Sequence, residues 1–246
     1  MNYEATLNFA RQLDEDDSIH RYRDRFHMPQ LNGKNVYYFG ANSLGLMPKT
    51  ARLAVMEELD VWEKLGVLGQ HKRWETYHEH LTESTARLVG SNPSEVVVMN
   101  ALTLNLHILL VSFYQPNTKR YKIVIENGAF PSDQYAVESQ IRFHGFDPKD
   151  ALIELVPRNG EKCLQTDDIV HTLRSHGDSI STVLIGGVNY YTGQAFDIET
   201  ITKAGKSVGA FVGFDLAHAA GNIHLNLHEW NVDFPHLMLQ AKELNH

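Results

Sequence analysis

The chain has 246 residues, 43% hydrophobic and 21% charged, the composition of an ordinary globular protein of one or two domains. Its formal charge of −8 comes without a basic stripe, which disfavours nucleic acid and anionic lipid as partners and leaves small molecules or proteins. The lone Cys163 excludes an intramolecular disulfide and a multi-cysteine zinc site, and neither a basic-then-apolar leader nor a membrane-length apolar run is present, so a cytoplasmic protein is expected.

The N-terminal third is expected to be helical, with SIHRYRDRF following a possible cap at Asp17. A short strand, Val36 to Phe39, then leads into the loop GANSLGLMP. Pro48 opens an amphipathic helix in which Ala51, Val55, Leu59 and Trp62 recur at helical spacing, ending near Gly66. Gly69 to Trp74 is expected to be a loop, and a second helix runs to Val89 and stops at Gly90. From Val96 the texture alternates. Strands are predicted at VVVM (96–99), YKIVI, Leu152 to Val156, Ile180 to Gly187 and Ala210 to Phe214. Helices are predicted between them at Ala101 to Phe113, Ser132 to His144, Thr166 to His176 and Ile198 to Val208. Such alternation predicts an α/β domain with a mostly parallel sheet, whose ligands sit at the carboxyl ends of the strands.

Four groups follow those strand ends. Leu102 and Thr103 fall in the first turn of a helix, where free N–H groups bind phosphate; an N-terminal cap with core leucines is the alternative. Phe130, Pro131, Ser132 and Asp133 lie between strand and helix. There an aromatic ring can stack on a flat cofactor, or the segment is a turn with an N-cap. Tyr190 and Tyr191 either line a pocket or pack, with Thr192 and Gly193 forming a turn. Asp215, ending an apolar strand, needs a cation or several donors, and a pyridinium nitrogen is one such cation; otherwise it caps a turn with His218 packed beneath it. His71, His78 and His80 lack metal-binding spacing and are expected to be exposed. GANSLG is no P-loop, and no G-x-S-x-G elbow occurs.

Together, FGANSLGLMP, MNALTLNLH, AFPSDQYAVESQ, YYTGQAFDI, ITKAG and VGFDLAHAAGN resemble the kynureninase family, from near the N-terminus to about Phe234. The resemblance implies the fold-type-I architecture of pyridoxal phosphate (PLP) enzymes and a homodimer. It also implies hydrolysis of L-kynurenine or 3-hydroxykynurenine to anthranilate or 3-hydroxyanthranilate plus L-alanine, in tryptophan catabolism toward NAD. It places the cofactor phosphate near Leu102 and Thr103, stacks Phe130 on the ring within the FPSD segment (Phe130, Pro131, Ser132, Asp133), pairs Asp215 with the ring nitrogen, and makes His218 a further cofactor contact. Ser43 and His71 match positions that approach the substrate. Gly186 departs from a serine often found at its position.

After Phe234 the sequence PHLMLQAKELNH departs from the family, whose Schiff-base lysine would fall near Ala241; Lys242 is one position off and lacks the Ser-Tyr before it. The resemblance therefore implies a helical segment with substrate-side loops (1–95), a partial PLP-binding large domain (96–234) and a divergent tail (235–246). The C-terminal small domain would be absent and the activity low. An inactive fragment that binds a full-length subunit is the alternative from another class. A different fold-type-I enzyme, such as a cysteine desulfurase or an aminotransferase, is the third.

Overall fold

Thr6 caps the first helix of the chain, α1 (Leu7–Asp16), its hydroxyl accepting the N–H of Phe9 at 3.2 Å. The structure, a computed structural model, describes residues 3–236, and within them the chain forms two units, residues 3–75 and 76–236.

In the first unit Asp17 does not cap the segment expected after it: it closes α1, its Oδ1 accepting the N–H of Ile19 at 3.0 Å, and the segment that follows is a 3-10 helix, His20–Arg25, with Ile19 at its N-cap. The strand predicted at 36–39 is absent. A two-stranded antiparallel ladder forms just before it, β1 (Gln30–Leu31) with β2 (Lys34–Asn35). Asn32 and Gly33, at φ 51° and 73°, make the tight turn that this pairing requires. The ladder cannot grow outward: the N–H of Val36 reaches the carbonyl of Pro29 at 3.0 Å, but proline has no N–H to return. Helix α2 (Ala51–Leu65) ends at Gly66 as expected. The loop expected at Gly69 to Trp74 is instead a π-helical turn, Gln70–Trp74. Glu58 of α2 holds that turn, accepting from Trp74 Nε1 at 2.7 Å and from Arg73 Nε at 2.9 Å.

The second unit begins with α3 (Glu79–Val89) and α4 (Leu102–Phe113). There follow β3 (Lys122–Glu126), α5 (Pro131–Phe143), the single turn α6 (Pro148–Ala151), β4 (Leu152–Leu155) and α7 (Thr166–Ser175). The unit closes with β5 (Ile180–Gly186), α8 (Ile198–Ser207), β6 (Phe211–Asp215) and β7 (Phe234–His236). The strands form one sheet in the order β4-β3-β5-β6-β7, and every pair in it is parallel. Residues 96–99, predicted as a strand, enter no ladder; Val96 to Met99 line a cavity of about 390 Å³. Alternation alone could not separate an extended wall from a paired strand.

Side chains alternate across the sheet and bury both faces. Ile123, Ile125 and Leu184 pack with Leu106 and Leu110 of α4 and Val137 and Ile141 of α5. Val124, Val183, Ile185, Val212 and Phe214 pack with Ile169 and Leu173 of α7 and Ile201 of α8. With both faces covered, the carboxyl ends of the strands are where a ligand can approach.

Gly90 ends α3 in the left-handed region at φ 64°, and a Cβ there would strike the carbonyl oxygen of Leu225. The crossing chain is bonded at this point, Leu227 N–H to Val89 O at 3.1 Å and His228 N–H to Gly90 O at 3.0 Å. Gly90→Ala is therefore expected to cost about 2 kcal/mol of stability through strain and overpacking. A denaturant midpoint within error of the parent would contradict this.

Candidate active site

Three apolar strands end in the site. Glu126 is the last residue of β3, Gly186 of β5 and Asp215 of β6, and His236 closes β7. The parallel register sets Gly186 beside Asp215 and Asp215 beside His236, so these positions form a row across the sheet end. Pro131 opens α5 with its fixed φ, and the first turn carries Asp133 over that row.

Glu126, Phe130, Asp133, Gly186, Val188, Tyr190, Asp215 and His218 line one cleft of about 10 Å³, room for a single water. A flat ligand would thus lie over the cleft rather than within it. Phe130 is 44% exposed, its ring edge-on to Tyr190 with centroids 5.2 Å apart, and the Tyr190 and His218 rings are 6.2 Å apart. Asn189 shapes this wall, its Oδ1 accepting the N–H groups of Tyr191 and Thr192 at 3.1 and 2.9 Å. Tyr191 itself is 85% exposed and takes no part in the cleft.

The floor is a cluster of buried acids. Glu126, Asp133 and Asp215 are 4%, 5% and 8% exposed, and among the described residues no lysine or arginine forms an ion pair with any of them. Glu126 accepts the N–H of Gly186 at 3.0 and 3.2 Å, and burial pushes its carboxyl up to about 7. Asp133 is pushed up to about 8 by burial and then by the charge of Asp215, to which it is hydrogen-bonded; Ser132 Oγ donates to it at 3.1 Å. Asp215 Oδ1 accepts the N–H of Ala217 at 2.8 Å, so the turn-capping role foreseen as an alternative is present as well. His236 is 3% exposed with Nε2 3.9 Å from Asp215 Oδ1, and burial lowers its pKa, keeping it neutral. Buried carboxyls crowded together without a cation hold protons that a bound cation would displace.

Of the residues singled out in the sequence, Phe130, Asp133, Asp215 and His218 meet at the cleft, with Pro131 and Ser132 in the helix turn above it. Leu102 and Thr103 occupy the first turn of α4, where backbone N–H groups have no intrahelical partner; Leu102 lines the 390 Å³ cavity. Ser43 and His71 belong to the first unit, Ser43 in a turn with its N–H on Gly40 O at 2.9 Å and His71 exposed, its Nδ1 2.8 Å from Glu75. His78 and His80 are exposed, as expected. Lys242 lies outside the described residues. Glu126 was missed, although it ends KIVIE as Asp215 ends FVGFD. His236 carried no signal, since its neighbours come from other elements.

The aminotransferase class-V family model matches residues 41–238. The chain is 58% identical over 237 residues to a kynureninase of Christiangramia forsetii, covering 95% of this chain and 56% of that protein. It is 45% identical over 240 residues to the kynureninase of Rattus norvegicus, covering 92% and 52%. The chain thus spans about half the length of the curated relatives it matches. Among solved structures it resembles C-DES, described with glycine covalently linked to the PLP cofactor, at a TM-score of 0.72 and 18% identity, covering 89% of this chain and 55% of that one. A cysteine desulfurase from Thermococcus onnurineus follows at a TM-score of 0.64 and 17% identity, covering 100% and 56%.

Proposed function

Because the chain belongs to the aminotransferase class-V family, we propose that it forms the cofactor-holding part of a PLP-dependent kynureninase. The whole enzyme would cleave L-kynurenine or 3-hydroxykynurenine to anthranilate or 3-hydroxyanthranilate and L-alanine. The observation that carries this is the buried acid cluster beneath an exposed aromatic ring, a site that wants a flat cation. The 45–58% identity to kynureninases supports the choice of kynurenine over cysteine as substrate.

The residues fit the group. Asp215 would keep the ring nitrogen protonated, Asp133 would orient Asp215 through their hydrogen bond, and Phe130 would cover one ring face with His218 beside it. Pro131 and Ser132 shape the turn that presents Asp133, and the N–H groups at Leu102 and Thr103 would take the phosphate. When bound, PLP would withdraw electrons from the substrate carbon that bears the amino group and so stabilise a carbanion there. Ser43 and His71 are proposed to approach the substrate. Homodimerisation, with cytoplasmic location, completes the proposal. Val55, Leu59 and Trp62 of α2 are each at least 47% exposed and recur on one side of the helix, an apolar face suited to a subunit contact. Among the described residues no helix is long and apolar enough to cross a membrane.

Titration of the purified chain with PLP, followed by absorbance, is expected to saturate at one equivalent. L-kynurenine should then perturb the bound spectrum while L-cysteine does not. Absence of saturable binding would overturn the cofactor assignment, and a response to L-cysteine alone would overturn the substrate.

A further inference from the structure

We propose that Tyr190 is a positioning residue for the cofactor: it does not cover the cofactor ring itself but holds Phe130 in the orientation that does. The inference rests on the reading of the cleft as a PLP site and goes beyond it in naming what fixes the stacking ring. Phe130 needs fixing because it is 44% exposed. Its backbone is held at φ −59° and ψ 136° at the N-cap of α5, the extended range that the following Pro131 imposes. The proline leaves the side chain free to turn about its own bonds. Among the described residues its one ring contact is Tyr190, edge-on with centroids 5.2 Å apart and planes at 80°. An edge-to-face contact restrains a ring without covering both of its faces.

The second observation is how firmly Tyr190 is itself held. Residues 188–195 form a small hairpin between β5 and α8, closed by an antiparallel bridge from Val188 to Ala195 and by the N–H of Asn189 on Gln194 O at 2.9 Å. Asn189, 8% exposed, gathers the backbone beyond Tyr190, its Oδ1 accepting the Thr192 hydroxyl at 3.1 Å as well as the N–H groups of Tyr191 and Thr192. The chain turns back at Gly193, φ 72°, whose N–H reaches Asn189 O at 2.9 Å. Gln194 then pins the hairpin to the segment before α7, accepting the N–H of Leu164 at 2.9 Å and donating to its carbonyl at 2.6 Å. A loop bonded at this many points presents its side chains at set places. Of the two tyrosines it carries, Tyr190 lines the cleft, with the His218 ring 6.2 Å beyond it, while Tyr191 is 85% exposed. Phe130, Tyr190 and His218 thus stand as one row of rings with Tyr190 in the middle.

The test is PLP titration of the purified chain, read by absorbance and by the circular dichroism induced in the cofactor's own band, which reports how the bound ring is oriented against its neighbours. Tyr190→Ala is expected to weaken PLP about fivefold, the effect of losing one aromatic pair, and to diminish the induced band. Tyr190→Phe keeps the ring edge and is expected to match the parent in both. Tyr190→Leu keeps bulk without an aromatic edge and should behave as Tyr190→Ala. In a Phe130→Ala background Tyr190→Ala should add less than about twofold, because its effect passes through Phe130. Tyr191→Ala should change nothing. Tyr190 is 41% exposed, so the thermal midpoints of its variants should stay near the parent's. A midpoint that falls by several degrees in Tyr190→Ala would mark a structural residue and overturn the proposal. Unchanged affinity and dichroism in Tyr190→Ala, or equal losses in Tyr190→Phe and Tyr190→Ala, would overturn it too. The same loss persisting without Phe130 would do so as well, since Tyr190 would then touch the cofactor itself. A parent chain that binds no PLP would overturn the proposed function and this inference with it, whereas a parent that binds PLP as well as its Tyr190→Ala variant does would overturn this inference alone.

Discussion

Replacing Asp215 by asparagine is expected to weaken PLP binding by about 100-fold while making the cofactor-free chain more stable. The two effects have opposite signs for one reason. In the free chain Asp215 is a buried carboxyl beside two further acids and a neutral histidine, with no lysine or arginine among the described residues in an ion pair with it. Asparagine keeps an oxygen for the N–H of Ala217, now at 2.8 Å from Oδ1, and offers an amide to Asp133 in place of a shared proton. With a protonated ring above it the balance reverses. The carboxylate then has its cation, and removing one member of a buried ion pair costs about 3 kcal/mol, which is the 100-fold. PLP titration and thermal melts on the same preparations decide it. A variant that loses stability and cofactor affinity together would mark Asp215 as a turn cap whose loss simply damages the fold.

That opposition also explains which parts of the molecule could be read from the sequence. The core strands KIVI, STVLIG and FVGF announce themselves because a sheet covered on both faces demands continuous apolar runs. Helices α3 and α5 stop where Gly90 and Gly145 take the left-handed conformation. Phe130, Asp133 and Asp215 were legible as chemistry because a polar residue at the end of a buried strand, or in the turn after it, is costly without a purpose. Glu126 obeyed the same rule and was passed over because no motif flagged it. VYYF and VVVM failed for a different reason. Alternation reports an extended backbone, whereas a ladder needs a partner, and Pro29 ends one ladder while residues 96–99 have none among the described residues. His236 was illegible in principle, since its meaning comes from a register between β6 and β7 that no local pattern encodes.

Stability is expected to fall as pH rises from 6.5 to 8.5, opposite to the behaviour of a protein held by surface ion pairs. Glu126 titrates at about 7 in the folded chain against an ordinary 4.5, and Asp133 at about 8 against 3.8, burial being the first cause in each. A carboxyl whose folded pKa is raised binds its proton more tightly when folded. Its contribution is therefore fully present below the unfolded pKa and is lost as pH rises through the folded one. Across this window the folded state must give up protons that the unfolded state has already lost, and the two groups together account for about 2 kcal/mol. Below pH 6.5 buried His236, held neutral while the unfolded chain takes up its proton, offsets one of the two acids and makes the slope shallower without reversing it. The acids with lowered pKa, Asp150 beside Tyr121 and Asp168 beside Arg158, lose their contribution only as pH falls through the ordinary carboxylate range. Stability therefore keeps rising as pH falls from 8.5 to 5.5, measurable as a thermal midpoint several degrees higher at pH 5.5 than at pH 8.5, in chelator-containing buffer without PLP. Asp133→Asn should flatten most of the slope above pH 6.5 by removing the group with the larger displacement. A midpoint that stays level or rises toward pH 8.5, or a slope untouched by Asp133→Asn, would show that the acids are paired with a cation that their geometry does not reveal.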